Sequence, residues 1–281
     1  MKRISILGSG WLGLPLAVEL KQLGHPIKAS SRSEARLSQV EQANLSAYVY
    51  DIEANQNDVS FLQADILIIN ITSKNIDAFK NLITKVETSP IKEILFVSST
   101  SVYQDSLDQN AKAITESDQD ALVSCPLLTI ENLFRDNSHF ETTIIRFSGL
   151  IGYQRHPGRF FAKTQEDGSV KCKPIKNPEA AVNMIHRDDC IGIIKAILKA
   201  DAWGEVFNGC SSHHPSRRDF YTHAITDFSG IKTVEITFIE NENTTYKVIS
   251  NEKVKTHLKY HFIKDNLLSE AAYKTSVNST G

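Results

Sequence analysis

The chain has 281 residues, 41% of them apolar and 23% charged, which is ordinary globular usage and excludes disordered and fibrous classes. Thirty-one Lys and Arg against 33 Asp and Glu leave a net charge of −2, so a protein built to coat nucleic acid is not expected. The four cysteines, Cys125, Cys172, Cys190 and Cys210, form no C-x-x-C pair and read as small hydrophobes in a reducing compartment. Met1-Lys2-Arg3 before an apolar stretch imitates a signal peptide. Gly8, Gly10 and Gly13 interrupt that stretch, Glu19 closes it and no cleavage site follows. No run approaches the roughly 18 apolar residues of a membrane helix, so a soluble cytoplasmic protein is expected.

In chain order, Arg3 to Leu7 reads as a strand and Trp11 to Leu23 as a helix, with apolar residues at 12, 16, 20 and 23. Strand at Pro26 to Ser30, helix at Ser33 to Ala43, and strands at Ala47 to Asp51 and Ile66 to Asn70 follow. A helix at Ile76 to Val86, a strand at Ile94 to Ser98, a helix at Leu127 to Phe134 and a strand at Thr142 to Phe147 complete the first half. Short apolar strands with intervening helices predict a doubly wound parallel sheet covered on both faces. Beyond Ser148 the rhythm changes. Gly152 to Pro178 is rich in Gly, Pro, Arg and Lys; a helix is expected at Asp188 to Lys199, a strand at Val206 to Asn208, a helix at Ser216 to Phe228 and a strand at Thr233 to Ile239. Glu270 to Gly281 reads as a polar tail. The domains expected are 1–150, with elements of about 180–210 returning to it, and a mainly substrate-binding 151–281.

The strongest local signal is Gly8-Ser9-Gly10-Trp11-Leu12-Gly13, placed after the first strand and opening the first helix. Gly8 permits the tight turn, Gly10 lets a pyrophosphate approach the backbone, and Gly13 allows close helix–strand packing. The helix N-terminus offers N–H groups and a positive dipole end to phosphates. Pro15 is tolerable only near a helix start. A carboxylate ending the second strand would select NAD, but that strand ends in Ala29-Ser30-Ser31-Arg32. Arg32 offers a donor fork for a 2′-phosphate and Ser30 and Ser31 offer hydroxyls, so NADP is preferred over NAD, with Glu34 as the NAD alternative. Asp51 and Ile52 end the third strand beside the adenine, and Asn70, Ile71 and Thr72 end the fourth beside the ribose.

The chain resembles the extended short-chain dehydrogenase/reductase superfamily, in its NAD-dependent epimerase/dehydratase family, from Met1 to about Tyr221. The resemblance rests on the glycine motif and Ser98 to Tyr103 (SSTSVY). It also rests on Thr115-Glu116, Arg146 to Gly152 (RFSGLIG), Asn183 to Asp189 (NMIHRDD) and Val206-Phe207-Asn208. It implies a Rossmann domain, a smaller C-terminal α/β domain that closes over substrate, and a homodimer. It places Ser98 beside the cofactor and Ser99 at the family's catalytic serine. The family's Tyr-x-x-x-Lys has no counterpart: counting back from Glu131, Leu127 stands at the Lys position and Val123 at the Tyr position. Positioned acid–base catalysis contributes about 10²–10⁴-fold, so the usual mechanism is absent or weakened, as in the atypical branch. Tyr153, in the segment expected to line the cleft, is a substitute candidate. Tyr103 and His186 read as structural.

From Gln154 to Lys176, six basic residues (Arg155, Arg159, Lys163, Lys171, Lys173, Lys176) face two acids. Relatives turn this region toward the substrate's diphosphate, so a small anionic substrate, of the nucleotide-sugar kind, is expected at Arg155 and Arg159. No metal is expected: His257 and His261 lack a carboxylate partner, and Cys210, His213 and His214 lack a fourth ligand. Two functions stay open. One is an oxidoreductase of the epimerase/dehydratase kind with a non-standard catalytic set. The other is a non-catalytic NAD(P)-binding sensor.

Overall fold

A computed structural model describes residues 1–269, apart from 55, 56, 109, 232, 242 and 243; the expected polar tail lies outside the described residues. In chain order the elements are β1 (Ile4–Leu7), α1 (Gly13–Gln22), β2 (Ile27–Ser31), α2 (Glu34–Gln42), β3 (Ser46–Val49), β4 (Ile66–Ile69), α3 (Ile76–Glu87), β5 (Glu93–Ser99), α4 (Pro126–Arg135) and β6 (Glu141–Phe147). There follow β7 (Gly149–Ile151), β8 (Ala162–Thr164), β9 (Val170–Cys172), β10 (Ile175–Lys176), β11 (Met184–His186), α5 (Arg187–Ala200), β12 (Val206–Gly209), α6 (Arg217–Ser229), β13 (Phe238–Ile239) and α7 (Glu252–His257).

The expected doubly wound sheet is present. Seven strands pair in the order β12-β6-β5-β4-β1-β2-β3, and the registers of β1 with β2 and β4, β2 with β3 and β4 with β5 are parallel. Ile4, Ile6, Ile66 to Ile69, Ile94 and Leu95 are buried, which is why these strands read as continuous apolar runs: both faces are covered. Strand order reverses beside β1, where β2 leads one way and β4 the other. Ligands of such sheets bind outside the carboxyl ends of the strands at this switch.

The chain forms two compact units. The first comprises Met1–Val102, Val123–Arg146 and Ile191–Phe207; the second Tyr103–Leu122, Phe147–Cys190 and the residues from Asn208 onward. Each has its own apolar core. In the first, Phe61, Phe79, Phe96, Phe134 and Ile144 pack together, with Phe79 and Phe134 ring centroids 5.9 Å apart, edge to face. In the second, Ile151, Ile175, Phe220, Tyr221 and Leu267 do so.

Expected and observed elements agree within a residue or two except in the second unit. The strand expected over Thr233–Ile239 is reduced to Phe238–Ile239, paired with β10. The aperiodic segment after Gly152 holds the β8–β9 hairpin. These strands have two or three residues, too few to show a period.

The first unit buries an ion pair. Arg146 on β6 donates from Nη2 to Glu131 Oε2 at 2.6 Å and from Nε to both carboxylate oxygens, with each side chain 1% exposed. Ser98 on β5 donates its hydroxyl to Glu131 Oε1 as well. Removing one partner of such a pair strands a buried charge. Arg146→Met is therefore expected to cost about 3–5 kcal/mol in urea unfolding, and the double change with Glu131→Gln to recover part of it. A single-variant loss below about 1 kcal/mol would show the pair to be energetically idle.

Candidate functional site

The glycine motif forms the turn between β1 and α1. Gly8 has φ +100°, and a β-carbon there would lie 2.4 Å from Asn70 O. A β-carbon on Gly13 would lie 2.0 Å from Gly8 O and 2.9 Å from Asn70 Nδ2. Both glycines are thus required by packing. Gly10 differs: a β-carbon there would meet nothing within 4 Å. The turn is tied to β2, since Ser9 donates its N–H and its hydroxyl to Ser30 O at 2.8 and 2.9 Å. Asn70 closes the other side by donating Nδ2 to Gly8 O at 3.2 Å. Leu12, which caps α1, is buried and gives no side-chain cap, so no polar side chain of the cap residue competes for the first N–H groups. Trp11 is half-buried, and Pro15, third in α1, lies where a missing N–H is tolerated.

The strand ends divide the expected cofactor contacts. Arg32 is 71% exposed and its Nη1 stands 3.7 Å from Asp51 Oδ2. Ser31 is half-buried, its hydroxyl accepting from Ser33 N at 3.1 Å. Ser30 is fully buried, with Gly8 N 3.4 Å and Ile6 O 3.5 Å from its hydroxyl. Its side chain therefore faces the sheet rather than offering an outward donor beside Arg32. The alternation of strand faces could not reveal this, because both faces of the sheet are covered. Asp51 also accepts from Glu53 N at 3.0 Å and donates its own N–H to Asn57 Oδ1 at 2.8 Å. Ile52 is in the core, Ile71 packs against it and Thr72 is exposed.

The catalytic candidates are less well equipped. Ser99, at the end of β5, is half-buried and its hydroxyl accepts from Ser101 N at 3.1 Å. Ser98 is buried against Glu131 through its hydroxyl. α4 begins only at Pro126. Leu127 therefore lies in its first turn, packed against the core, and Val123 lies before the helix with its N–H donated to Val102 O. Neither position carries a phenol or an amine.

Tyr153, in the second unit, sits at φ 53°. Its hydroxyl donates to Asp188 Oδ1 at 2.8 Å, and its ring lies 3.8 Å from the Arg187 guanidinium carbon. Burial and Asp188 raise its phenol above the usual range, so it stays protonated at neutral pH and is a weaker proton donor than a free tyrosine. His186 is buried and accepts Asp188 N at Nδ1. A β-carbon at Gly152 would lie 2.3 Å from His186 Nε2. Burial pushes this imidazole down to about 4, so it is neutral at pH 7 despite Asp188 at 3.4 Å. Tyr103 donates its hydroxyl to Asn208 Oδ1 at 3.0 Å, and Asn208 N is bound by Glu116 Oε1 at 2.7 Å, so the T-E and V-F-N motifs meet.

Arg155 and Arg159 are exposed, Arg159 over the Phe228 ring at 5.3 Å. Arg159, Lys163, Lys171 and Lys173 line a cavity of about 780 Å³ with Phe161 and Phe228. Lys163 and Lys171 stand directly opposite each other in the β8–β9 register. Like charges so placed repel, and an anion between them relieves that repulsion. The other histidine expectations have simple outcomes. α7 ends at His257 and Lys259 turns to φ 51°, so His261 is off the helix. His214 uses Nδ1 on Val182 O. Among the described residues no three His, Cys, Asp or Glu side chains are placed to hold a metal.

Comparison with known proteins agrees with this geometry. A family model described as NAD(P)H-binding matches residues 8–176, and the chain belongs to that family. Protein YeeZ of Escherichia coli strain K12 is 31% identical over 235 residues, covering 79% of this chain and 82% of YeeZ. A short-chain dehydrogenase/reductase superfamily protein from Agrobacterium tumefaciens with bound NAD shares the fold at TM-score 0.72 and 16% identity, over 96% of each chain. UDP-glucuronic acid 4-epimerase from Bacillus cereus in complex with NAD does so at TM-score 0.72 and 18% identity, over 95% of this chain and 97% of that one. The NAD(P)H-binding expectation thus holds, and these solved structures share the fold. Among the described residues no helix is long and apolar enough to cross a membrane.

The depressed His186 imidazole has a consequence for stability. The unfolded chain takes up a proton near pH 6.5, while the folded chain resists protonation until about 4. Stability contributed by the neutral ring is complete above pH 6.5 and falls as the pH drops toward 4, by up to about 3 kcal/mol. Urea unfolding from pH 7 to 4.5 should show this loss, and His186→Asn, which keeps an acceptor for Asp188 N, should flatten the profile. Identical slopes in both proteins would contradict it.

Proposed function

We propose that the chain is an NAD(P)-dependent oxidoreductase of the epimerase/dehydratase kind, acting on a small anionic substrate with a non-standard catalytic set. The observation that carries the cofactor part is the contrast within the glycine turn. Gly8 and Gly13 are filled by the protein's own packing, whereas the β-carbon direction of Gly10 is open, as a backbone that receives a pyrophosphate requires. Gly10, Trp11, Leu12 and Gly13 would hold the pyrophosphate at the α1 N-terminus, with Gly8 and Ser9 shaping the turn. Asp51 and Ile52 would flank the adenine, Asn70, Ile71 and Thr72 a ribose, and Ser98 the nicotinamide end. The bound cofactor supplies or accepts a hydride.

Arg32 favours NADP. Its fork is exposed and its ion pair with Asp51 is long, at 3.7 Å, so the guanidinium can turn to a 2′-phosphate. Ser31 stands beside it. Glu34, in the first turn of α2, is the group that would serve NAD instead.

Ser99 accepts from Ser101 N, which leaves its own O–H to donate to a substrate oxygen. Tyr153, whose protonated phenol already donates to Asp188, is the second candidate. Neither supplies the base that the family's Tyr and Lys provide. Turnover is expected to be slower than in relatives that keep the pair, by about 10²–10⁴-fold. Arg155 and Arg159 would recognise the anion of the substrate, and the cationic cavity supports that reading. The proposed division places cofactor binding in 1–150, with about 180–210 returning to it, and substrate binding in 151–281. Cysteines 125, 172, 190 and 210, all unpaired, suit a cytoplasmic setting. The loss of both Tyr and Lys favours one alternative, a cofactor-binding sensor that turns over nothing.

Parallel fluorescence titrations with NADPH and NADH test the cofactor reading. NADPH is expected to bind about tenfold tighter, and Arg32→Ala to remove that difference while leaving NADH unchanged. Equal affinity for both cofactors, unaltered in Arg32→Ala, would overturn the NADP assignment.

A further inference from the structure

Ligands of a doubly wound sheet bind at the carboxyl ends of its strands, which leaves the opposite edge without an assigned role. In this chain that edge carries a cavity of about 500 Å³, whose lining includes Arg3, Lys21, His25, Lys28, Asn44 and Gln63. Arg3 precedes β1, Lys28 is second in β2, Asn44 precedes β3 and Gln63 precedes β4. The cavity therefore lies at the amino ends of these strands, within the first unit. The glycine turn leaves the carboxyl end of β1, at the other edge. Lys21 reaches the cavity from the last turn of α1. Lys28 stands out in its strand. Ile27 and Ala29 beside it are buried, and β2 is paired with β1 on one side and β3 on the other. A charged side chain half-buried at such a place loses hydration that a partner has to replace.

The lining holds the full positive charges of Arg3, Lys21 and Lys28 and no carboxylate. The Arg3 charge is cancelled by Asp65, to whose Oδ1 its Nη2 donates at 2.5 Å. The other two are not cancelled. Lys21 donates to Asn44 O, and Lys28 donates to Ser60 O and, at 3.0 Å, to Gln63 O. These partners are backbone carbonyls, and among the described residues neither ammonium has a carboxylate within 4 Å. Asp58 attracts Lys28 only from a distance, its carboxylate being taken by Ser60 N at 2.9 Å. Burial, and after it the Arg3 charge, hold the Lys28 ammonium below its usual range. Of three N–H donors each, Lys21 keeps two and Lys28 keeps one. The cavity thus presents two positive charges and three N–H donors to whatever enters it. A phosphate group carries about −1.5 to −2 at neutral pH and offers three acceptor oxygens, which matches both counts. A carboxylate brings a single charge and two oxygens.

We infer that this cavity binds a phosphate group, free or as a monoester, at a site separate from the glycine turn, with Lys21 and Lys28 as the residues that hold it. Lys21 gives two N–H groups to the phosphate oxygens and Lys28 gives one. Each lysine keeps its carbonyl partners while doing so. Those carbonyls already fix the two ammonium groups, so little side-chain freedom is lost when the anion arrives. The site stands whatever reaction the chain performs, because it shares no residue with the glycine turn or with the cavity at Arg159.

Backbone amide NMR titrations at neutral pH test the site, with inorganic phosphate as one ligand and glycerol 3-phosphate as the monoester. Sodium chloride holds the ionic strength constant, so that general screening does not register as binding. Wild-type protein should show saturable shifts of the Lys21, Lys28, Asn44 and Gln63 amides, half-complete at about millimolar phosphate. Lys21→Gln and Lys28→Gln should each raise that midpoint about tenfold. Lys28→Arg, which keeps the charge, should retain most of the affinity. Lys21 is exposed, so Lys21→Gln tests the site even if Lys28→Gln folds poorly. A response to both ligands upholds the site for phosphate wherever it is carried, and a response to inorganic phosphate alone upholds it for the free anion. The inference is overturned by the absence of saturable shifts, by shifts confined to residues 8–13 or 159–173, or by a midpoint that both glutamine variants leave unchanged.

Discussion

A β-carbon on Gly13 would stand 2.0 Å from the carbonyl oxygen of Gly8, and one on Gly8 would stand 2.4 Å from the carbonyl of Asn70. The first turn of α1 is pressed this closely onto the ends of β1 and β4, and most of the nucleotide-binding architecture follows from it. The close approach seats α1 with its N-terminus over the switch point of the sheet, where β2 and β4 diverge from β1. Ser9 on Ser30 and Asn70 on Gly8 then fix the turn from both sides. Gly10, between the two packed glycines, faces open space, and its lack of a side chain has no explanation in the packing of the protein itself. Two of the three glycines of the turn are thus fixed by packing, and the third is left open beside the N-terminus of α1.

The second organising contact is the buried Arg146–Glu131 pair with Ser98, which links β6, α4 and β5 inside the first unit. It holds α4 against the sheet independently of any group at the start of that helix. Glu131 still has a structural partner, so α4 is held against the sheet, while Leu127 contributes only to the core and Val123 precedes Pro126. The helix is thus well packed although its first turn and the residues before it carry neither a phenol nor an amine. This dissociation of fold from chemistry is why function has to be read from the site.

The sequence made the first unit legible because its strands are continuous apolar runs and its helices carry a 3.6-residue period, both local signals. The glycine turn was legible for the same reason, since its motif spans six residues between two such elements. The inward orientation of Ser30 was not, because a strand covered on both faces loses the alternation that would reveal it. Arg146 was equally hidden, its partner lying 15 residues away on another element. In the second unit, β8, β9 and β10 are too short for a period, and the segment 244–251 is held by isolated bridges to Ser106 and Ile114 and by the Asn183 side chain. Its partners lie 64 and 66 residues away in sequence, beyond the reach of any local pattern.

The central claim is that the open direction at Gly10 exists for a nicotinamide dinucleotide. The most direct measurement is an NADPH fluorescence titration of Gly10→Ala beside wild type, with urea unfolding of both. The account predicts an unchanged unfolding midpoint, since the added methyl meets no protein atom within 4 Å, together with cofactor affinity at least about tenfold weaker, because the methyl occupies the approach to the backbone. A variant that is equally stable and binds NADPH as tightly as wild type would contradict it.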